Sequence, residues 1–122
     1  NLPALKWAEK IQKRAARTGF DWDDLAPVFE KLDEEIAELK QELNTEDNHE
    51  RIMDEMGDVL FSCVNLARHL ELSAEQALRQ GSRKFIGRFQ KMEQIISEQG
   101  REINQCSLDE LEAYWQKSKG SF

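Results

Sequence analysis

Cysteine, proline and histidine are scarce in this chain, with two of each in 122 residues. Cys63 and Cys106 do not make a disulfide framework, and no Cys/His spacing suits zinc. Cys63 falls in the apolar run Val59-Leu60-Phe61-Ser62-Cys63-Val64 and is expected to pack as a small hydrophobe; Cys106 falls in an expected loop. Rare proline and six glycines exclude a low-complexity chain. His49 and His69 read as structural or incidental, so no Ser/His/Asp or Cys/His nucleophile can be assembled. No apolar stretch approaches the ~20 residues of a membrane span, and no signal peptide is visible. A dense basic run is also missing, and the formal net charge is −7. That counts against nucleic acid or an anionic membrane as partner. A phosphorylated small molecule stays open, because bound divalent ions invert the local field. The expectation is a cytoplasmic protein, and an opening at Asn1 rather than Met suggests a fragment or processed product.

What the chain does have is charge and helical periodicity. Charged residues make up 34% and hydrophobic ones 39%, over one domain's worth of sequence, 1–122. Such a chain buries a small core, which a partner subunit would extend. Pro3 suits the first turn of a helix running to about Arg17, ended by Thr18-Gly19. Phe20-Asp21-Trp22 is an aromatic connector. Asp23 or Asp24 can cap a second helix, Leu25–Leu43, with Pro27 tolerated in its first turn. There Leu25, Val28, Leu32, Ile36, Leu39 and Leu43 recur every three or four positions. A third helix is expected from near Asp47, where Asp47-x-x-Glu50 resembles a capping box, through Leu70. Ser73-x-x-Gln76 opens a fourth, reaching Gln99 if Gly81 and Gly87 do not break it. Ser107-x-x-Glu110 caps a last short helix to about Lys117. No strand pattern or repeat is present, so the class is all-α, a bundle of about five helices.

Two matched carboxylate pairs stand out, Glu35-x-x-Glu38 and Glu55-x-x-Asp58, with sixteen residues between them. Spacing of i, i+3 puts each pair on one helix face. The short polar stretch Asn44–Glu50 makes the two helices antiparallel neighbours, so the pairs can face each other. An acidic stripe on a helix is commonly a solvated face. Here Asp33, Glu34, Glu35, Glu38 and Glu42 crowd one segment with few i, i+4 basic partners, and Asp54, Glu55 and Asp58 repeat the pattern. Asp58 adjoins the most apolar run, so it is expected to be partly buried, where an unpaired carboxylate is expensive. Oxygen ligands alone suit a hard cation, Mg²⁺ or Mn²⁺. Gly57, inside the second pair, reads either as close helix packing or as room for a ligand. Lys84 and Arg88, at i, i+4, read as surface charges or as a phosphate clamp. Trp115 shares a face with Lys119 and reads as packing or as a base-stacking ring.

The strings Lys31-Leu32-Asp33-Glu34-Glu35-Ile36-Ala37-Glu38-Leu39 and Asp54-Glu55-Met56-Gly57-Asp58-Val59-Leu60-Phe61 resemble the signature of the MazG family. That signature is E-x-x-E, a variable gap, then E-x-x-D. Leu2-Pro3-Ala4-Leu5, Gly19-Phe20-Asp21-Trp22, Val64-Asn65-Leu66-Ala67-Arg68-His69 and Lys84-Phe85-x-x-Arg88-Phe89 are similar to segments of the C-terminal domain of two-domain MazG proteins. The resemblance covers nearly the whole chain. It implies an all-α, dimeric nucleoside triphosphate pyrophosphohydrolase, with Mg²⁺, or Mn²⁺ in its place, on Glu35, Glu38, Glu55 and Asp58. It sets Lys31, Glu34, Glu35, Arg51, Asp54, Asp58, Lys84, Arg88 and Trp115 around the nucleotide. Arg51 stands where lysine is common, which keeps the charge and changes the fork geometry.

The implied reaction is hydrolysis of a nucleoside triphosphate to monophosphate and pyrophosphate. Glu34 or Asp54 would orient or deprotonate water, Lys84 and Arg88 would steady the triphosphate, and Trp115 would stack on the base. Alternatives are a relative restricted to dUTP, dCTP or phosphoribosyl-ATP, and a helical dimerisation or regulatory module. A ferritin-like di-iron protein fits poorly, since Asp58 stands where that chemistry wants histidine.

Overall fold

The computed structural model describes residues 2–119. Among the described residues five α-helices and one 3₁₀ turn follow one another, α1 Ala4–Ala16, α2 Leu25–Glu42, α3 His49–His69, α4 Ala74–Glu98 and α5 Leu108–Ser118, with the turn at Ile103–Gln105. No strand occurs among the described residues. The chain divides into two compact units, Asn1–Ala77 and Leu78–Phe122, with α4 running from one into the other.

In the first unit α2 and α3 pack together, and α1 packs on α3. Only six residues separate α2 from α3, which leaves the antiparallel arrangement. Pro3 precedes α1 as its N-cap, and Gly19, at φ 94°, turns the chain back so that Phe20 N–H donates to Ala15 O at 3.3 Å. The buried positions of α2 and α3 are Val28, Glu35, Val59, Ser62 and Val64, with Leu32, Leu39, Ile52, Glu55 and Leu66 half-buried. The seam therefore carries carboxylates at two places where the helical period alone would put apolar side chains. Gln12 of α1, also buried, donates to Phe61 O at 3.0 Å. Asp21 in the connector accepts from Arg68 Nη1 and Nη2 at 2.9 and 2.7 Å and pairs with His69 Nε2 at 2.9 Å. Arg68 holds the Asp21 carboxyl well below the usual carboxylate range.

Several local expectations are corrected. Asp47 sits at φ 54° and does not cap α3, which starts at His49 after Asn48. Asn48 turns its amide back to Glu42, donating to the Glu42 carbonyl at 3.1 Å and to its carboxylate. The capping box is therefore absent, because the connector closes on the end of α2 instead. Asp24 is the N-cap of α2 without a side-chain capping bond. Cys63 is exposed rather than packed, since the buried seam runs through Val59, Ser62 and Val64 and leaves it on another face.

In the second unit Met92, Ile96 and Tyr114 form a core, with Phe89, Ile95, Ile103, Cys106, Leu111 and Trp115 packed against it. Ser107 and Glu110 make both bonds of a capping box at the start of α5. Arg101 Nη1 sits 2.5 Å from Glu110 Oε2, and Tyr114 donates to Gln99 Oε1 at 2.5 Å. α4 continues through Gly81 and Gly87, at a cost of about 1 kcal/mol each relative to Ala. The surrounding Ala, Leu, Gln, Arg and Lys offset that cost.

Candidate metal and nucleotide site

The antiparallel seam brings Glu35 of α2 to Glu55 and Asp58 of α3, with one carboxylate oxygen from each within 4.8 Å of the others. Glu35 is 5% exposed and Glu55 half-buried, and Asp58 is exposed, contrary to the expected burial. The i, i+3 step from Glu55 to Asp58 swings its side chain toward the edge of the seam. Glu38, the fourth expected ligand, lies one turn from Glu35 and within hydrogen-bonding reach of Glu55.

Glu35 Oε2 and Glu55 Oε2 are buried and have no hydrogen-bond partner. Burial, followed by the charges of Glu38, Asp58 and Glu35, pushes the Glu55 carboxyl above its ordinary range. Partial desolvation, then the charges of Glu35 and Asp54, push Asp58 up as well, with Lys31 opposing. Unsatisfied buried oxygens and raised carboxyls together describe a place where negative charge exceeds the positive charge at hand. An all-oxygen donor set of this kind fits a hard divalent cation.

Around the cluster, Lys31 Nζ is 2.9 Å from Glu35 Oε1 and 3.8 Å from Glu34 Oε1. Sequence reasoning had passed over the Lys31–Glu35 pair, although its i, i+4 spacing was the signal. Glu34 is solvent-exposed, as is Asp54, whose charge reaches Asp58. Arg51 pairs with Glu42 at 3.9 Å and is largely exposed. Gly57 is exposed, and a Cβ there would meet nothing within 4 Å, so close helix packing does not explain it.

The remaining expected residues belong to the second unit. Lys84 is exposed on α4. Arg88 lies over the Trp115 ring, 3.9 Å from its centre, and donates to Trp115 O at 3.3 Å. Phe85 contacts the same ring at 5.3 Å between centres. Arg88 is thus half-buried and stacked, not a solvated surface charge, and its Nε is buried without a partner.

An all-α chain with carboxylates clustered in the seam of two antiparallel helices defines a class, helical proteins whose paired helices present acidic side chains suited to a hard cation. Residues 25–92 match the model of the MazG nucleotide pyrophosphohydrolase domain, and this chain belongs to the MazG family. The matched segment takes in all four carboxylates together with Lys84 and Arg88, and ends before Trp115. The chain is 44% identical over 119 residues to the nucleoside triphosphate pyrophosphohydrolase/pyrophosphatase MazG of Thermotoga maritima, covering 98% of this chain and 45% of that protein. It is 45% identical over 120 residues to the nucleoside triphosphate pyrophosphohydrolase of Escherichia coli K12, covering 98% of this chain and 46% of the relative. YabN of Bacillus subtilis, an uncharacterized protein, is 38% identical over 118 residues and is covered over 24% of its length. The chain therefore spans about half the length of the first two relatives.

Proposed function

We propose that this chain is a MazG domain that hydrolyses nucleoside triphosphates to the monophosphate and pyrophosphate, with Mg²⁺ held by Glu35, Glu38, Glu55 and Asp58. The observation that carries the reading is the pair of buried, unpartnered oxygens on Glu35 and Glu55 beside Asp58. A divalent cation there supplies charge neutralisation and Lewis acidity at the phosphates. Glu34 and Asp54, exposed beside the acidic cluster, are the groups assigned to orient water and take its proton. Lys84 and Arg88 are assigned to the triphosphate, where negative charge grows on the departing pyrophosphate. Trp115, held by Arg88 and Phe85, is assigned to the base, and stacking of that kind tolerates many bases. Lys31 and Arg51 complete the cationic surroundings, and a cytoplasmic location fits such a substrate.

The reading includes a homodimer. Phe29 and Ile36 of α2 and its C-cap Leu43 follow one another at heptad spacing, and Met53, Met56 and Leu60 follow at i, i+3, i+7 along α3, all exposed. Against so few buried apolar residues in the first unit, a second copy is the economical cover for these stripes.

The deciding experiment is pyrophosphate release from each common NTP and dNTP, with Mg²⁺ and with EDTA. Metal-dependent formation of monophosphate and pyrophosphate supports the proposal. Release of inorganic phosphate and a nucleoside diphosphate, or no turnover on any nucleotide, overturns it. Turnover confined to one pyrimidine nucleotide assigns the restricted alternative.

A further inference from the structure

Lys31 stands on α2 one turn before Glu35, and its ammonium takes one oxygen of that buried carboxylate at 2.9 Å while the other oxygen has no donor. One oxygen of Glu35 thus meets a resident cation, and the other is buried without a donor. The same ammonium is 3.8 Å from Glu34, and its charge is felt at Glu38 and Asp58. Lys31 itself is well exposed, with 43% of its side chain accessible, so it can swing away without unpacking the seam.

We propose that Lys31 is the placeholder cation of the acidic cluster, an ammonium that compensates Glu35 when no metal is present and is driven outward when a divalent ion binds. The inference rests on the metal-site reading above. A buried carboxylate stripped of its partner is destabilising, so Lys31 steadies the metal-free helix pair. The same positive charge opposes an incoming divalent ion a few ångströms away. Two effects of opposite sign act on metal affinity. Holding Glu35 in one rotamer favours the metal by the small conformational freedom of one side chain. An ammonium that stayed at roughly 5 Å from a divalent ion would disfavour it by about tenfold even in a water-like dielectric, and one that leaves must give up its contact with Glu35, so either course opposes the metal. The opposing effect wins, so Lys31 weakens metal binding in the resting protein. Once displaced, its ammonium is released from Glu35 and faces solvent, available to an anionic substrate. Metal loading and exposure of a substrate-binding cation are thereby one event.

The test uses the whole chain and Mn²⁺ as probe, with affinity from calorimetry or from the paramagnetic resonance of free Mn²⁺. Lys31→Met and Lys31→Gln are expected to bind Mn²⁺ about tenfold more tightly than wild type and to melt lower in EDTA. A second measurement needs no variant: acylation of Lys31 by an amine-selective reagent, read by mass spectrometry, is faster with Mg²⁺ than with EDTA. Variants that keep the wild-type helical spectrum yet bind Mn²⁺ equally or more weakly overturn the placeholder role and leave the metal site standing. Unchanged Lys31 acylation on metal addition overturns it as well. Wild type without measurable Mn²⁺ binding removes both this inference and the site on which it rests.

Discussion

Arg88 covers the face of Trp115 at 3.9 Å from the ring centre and also donates to the carbonyl of the same residue. Side chain and main chain of one tryptophan are thus held by a single guanidinium. The two residues are expected to act as one binding element. Arg88→Ala, Trp115→Ala and the double variant should show a coupling of about 0.5–2 kcal/mol in substrate affinity. Additive losses in a double-mutant cycle on KM would mean that the two residues bind substrate independently, and unchanged KM in all three variants would mean that the stack is packing without a role in binding.

Lys84 and Trp115 should fail in different ways. Lys84→Ala is expected to lower kcat, because its assigned contact strengthens as pyrophosphate leaves. Trp115→Ala is expected to raise KM by about 1–3 kcal/mol worth of stacking, since the base does not change during reaction. Steady-state kinetics on one good substrate separates the two. A Trp115→Ala protein that no longer folds would assign the ring to the core around Met92 and Tyr114.

Glu38→Gln and Asp58→Asn should each reduce kcat by more than about 100-fold while the helical spectrum is kept. Either removes a negative charge from a crowded cluster, so the metal-free melting temperature should hold or rise. Wild type should melt roughly 8–12 °C higher at Mg²⁺ one hundred times its Kd than in EDTA, corresponding to about 2.7 kcal/mol. Near-normal activity in either variant, or identical melts with and without Mg²⁺, would count against the site.

How much of this was legible beforehand depends on whether the signal was local. The spacing of Glu35 to Glu38 and Glu55 to Asp58, with a short reversal between them, is a local pattern, and the seam that joins Glu35, Glu55 and Asp58 follows from it. Ser107 and Glu110 are equally local, and their two bonds form as their spacing suggests. Asp47 and Glu50 have the same spacing and fail, because Asn48 finds better acceptors on Glu42, across the connector. Cys63 was misjudged since an apolar run on a helix passes around every face, and only the partner helix decides which face is inside. The Asp21–Arg68 contact spans 47 positions and leaves no periodic trace.

A dimer should appear in light scattering at about twice the 14.2 kDa of one chain. Phe29→Asp, on the exposed stripe of α2, is expected to shift the mass toward the monomer. A monomeric wild type would leave the stripes without their proposed cover.

The capping box of α5 should report on acid stability. Arg101, then the Ser107 N–H, lower the Glu110 carboxyl from its ordinary 4.5 to about 2. A carboxyl depressed in the folded state stabilises above its unfolded value, and that contribution is lost as pH falls from about 4.5 toward 2. Glu110→Gln should therefore melt lower than wild type at neutral pH, with the gap closing across that window. A gap that stays constant to pH 2 would show that the ion pair contributes nothing measurable.

The clasp of Asp21 on Arg68 and His69 bears on the order in which the chain assembles. Its partners meet only after α2 and α3 have paired, because the whole hairpin lies within the loop that the contact closes. α1 packs on α3, donates from Gln12 to Phe61, and is anchored through its connector by this clasp, so with the clasp cut α1 should be the first segment of the first unit to let go. Arg68→Ala should accelerate amide hydrogen exchange along Ala4–Ala16 while the amides of α2 and the first half of α3 keep their protection. The N-terminal helix would then come away as a unit from a hairpin that stays folded.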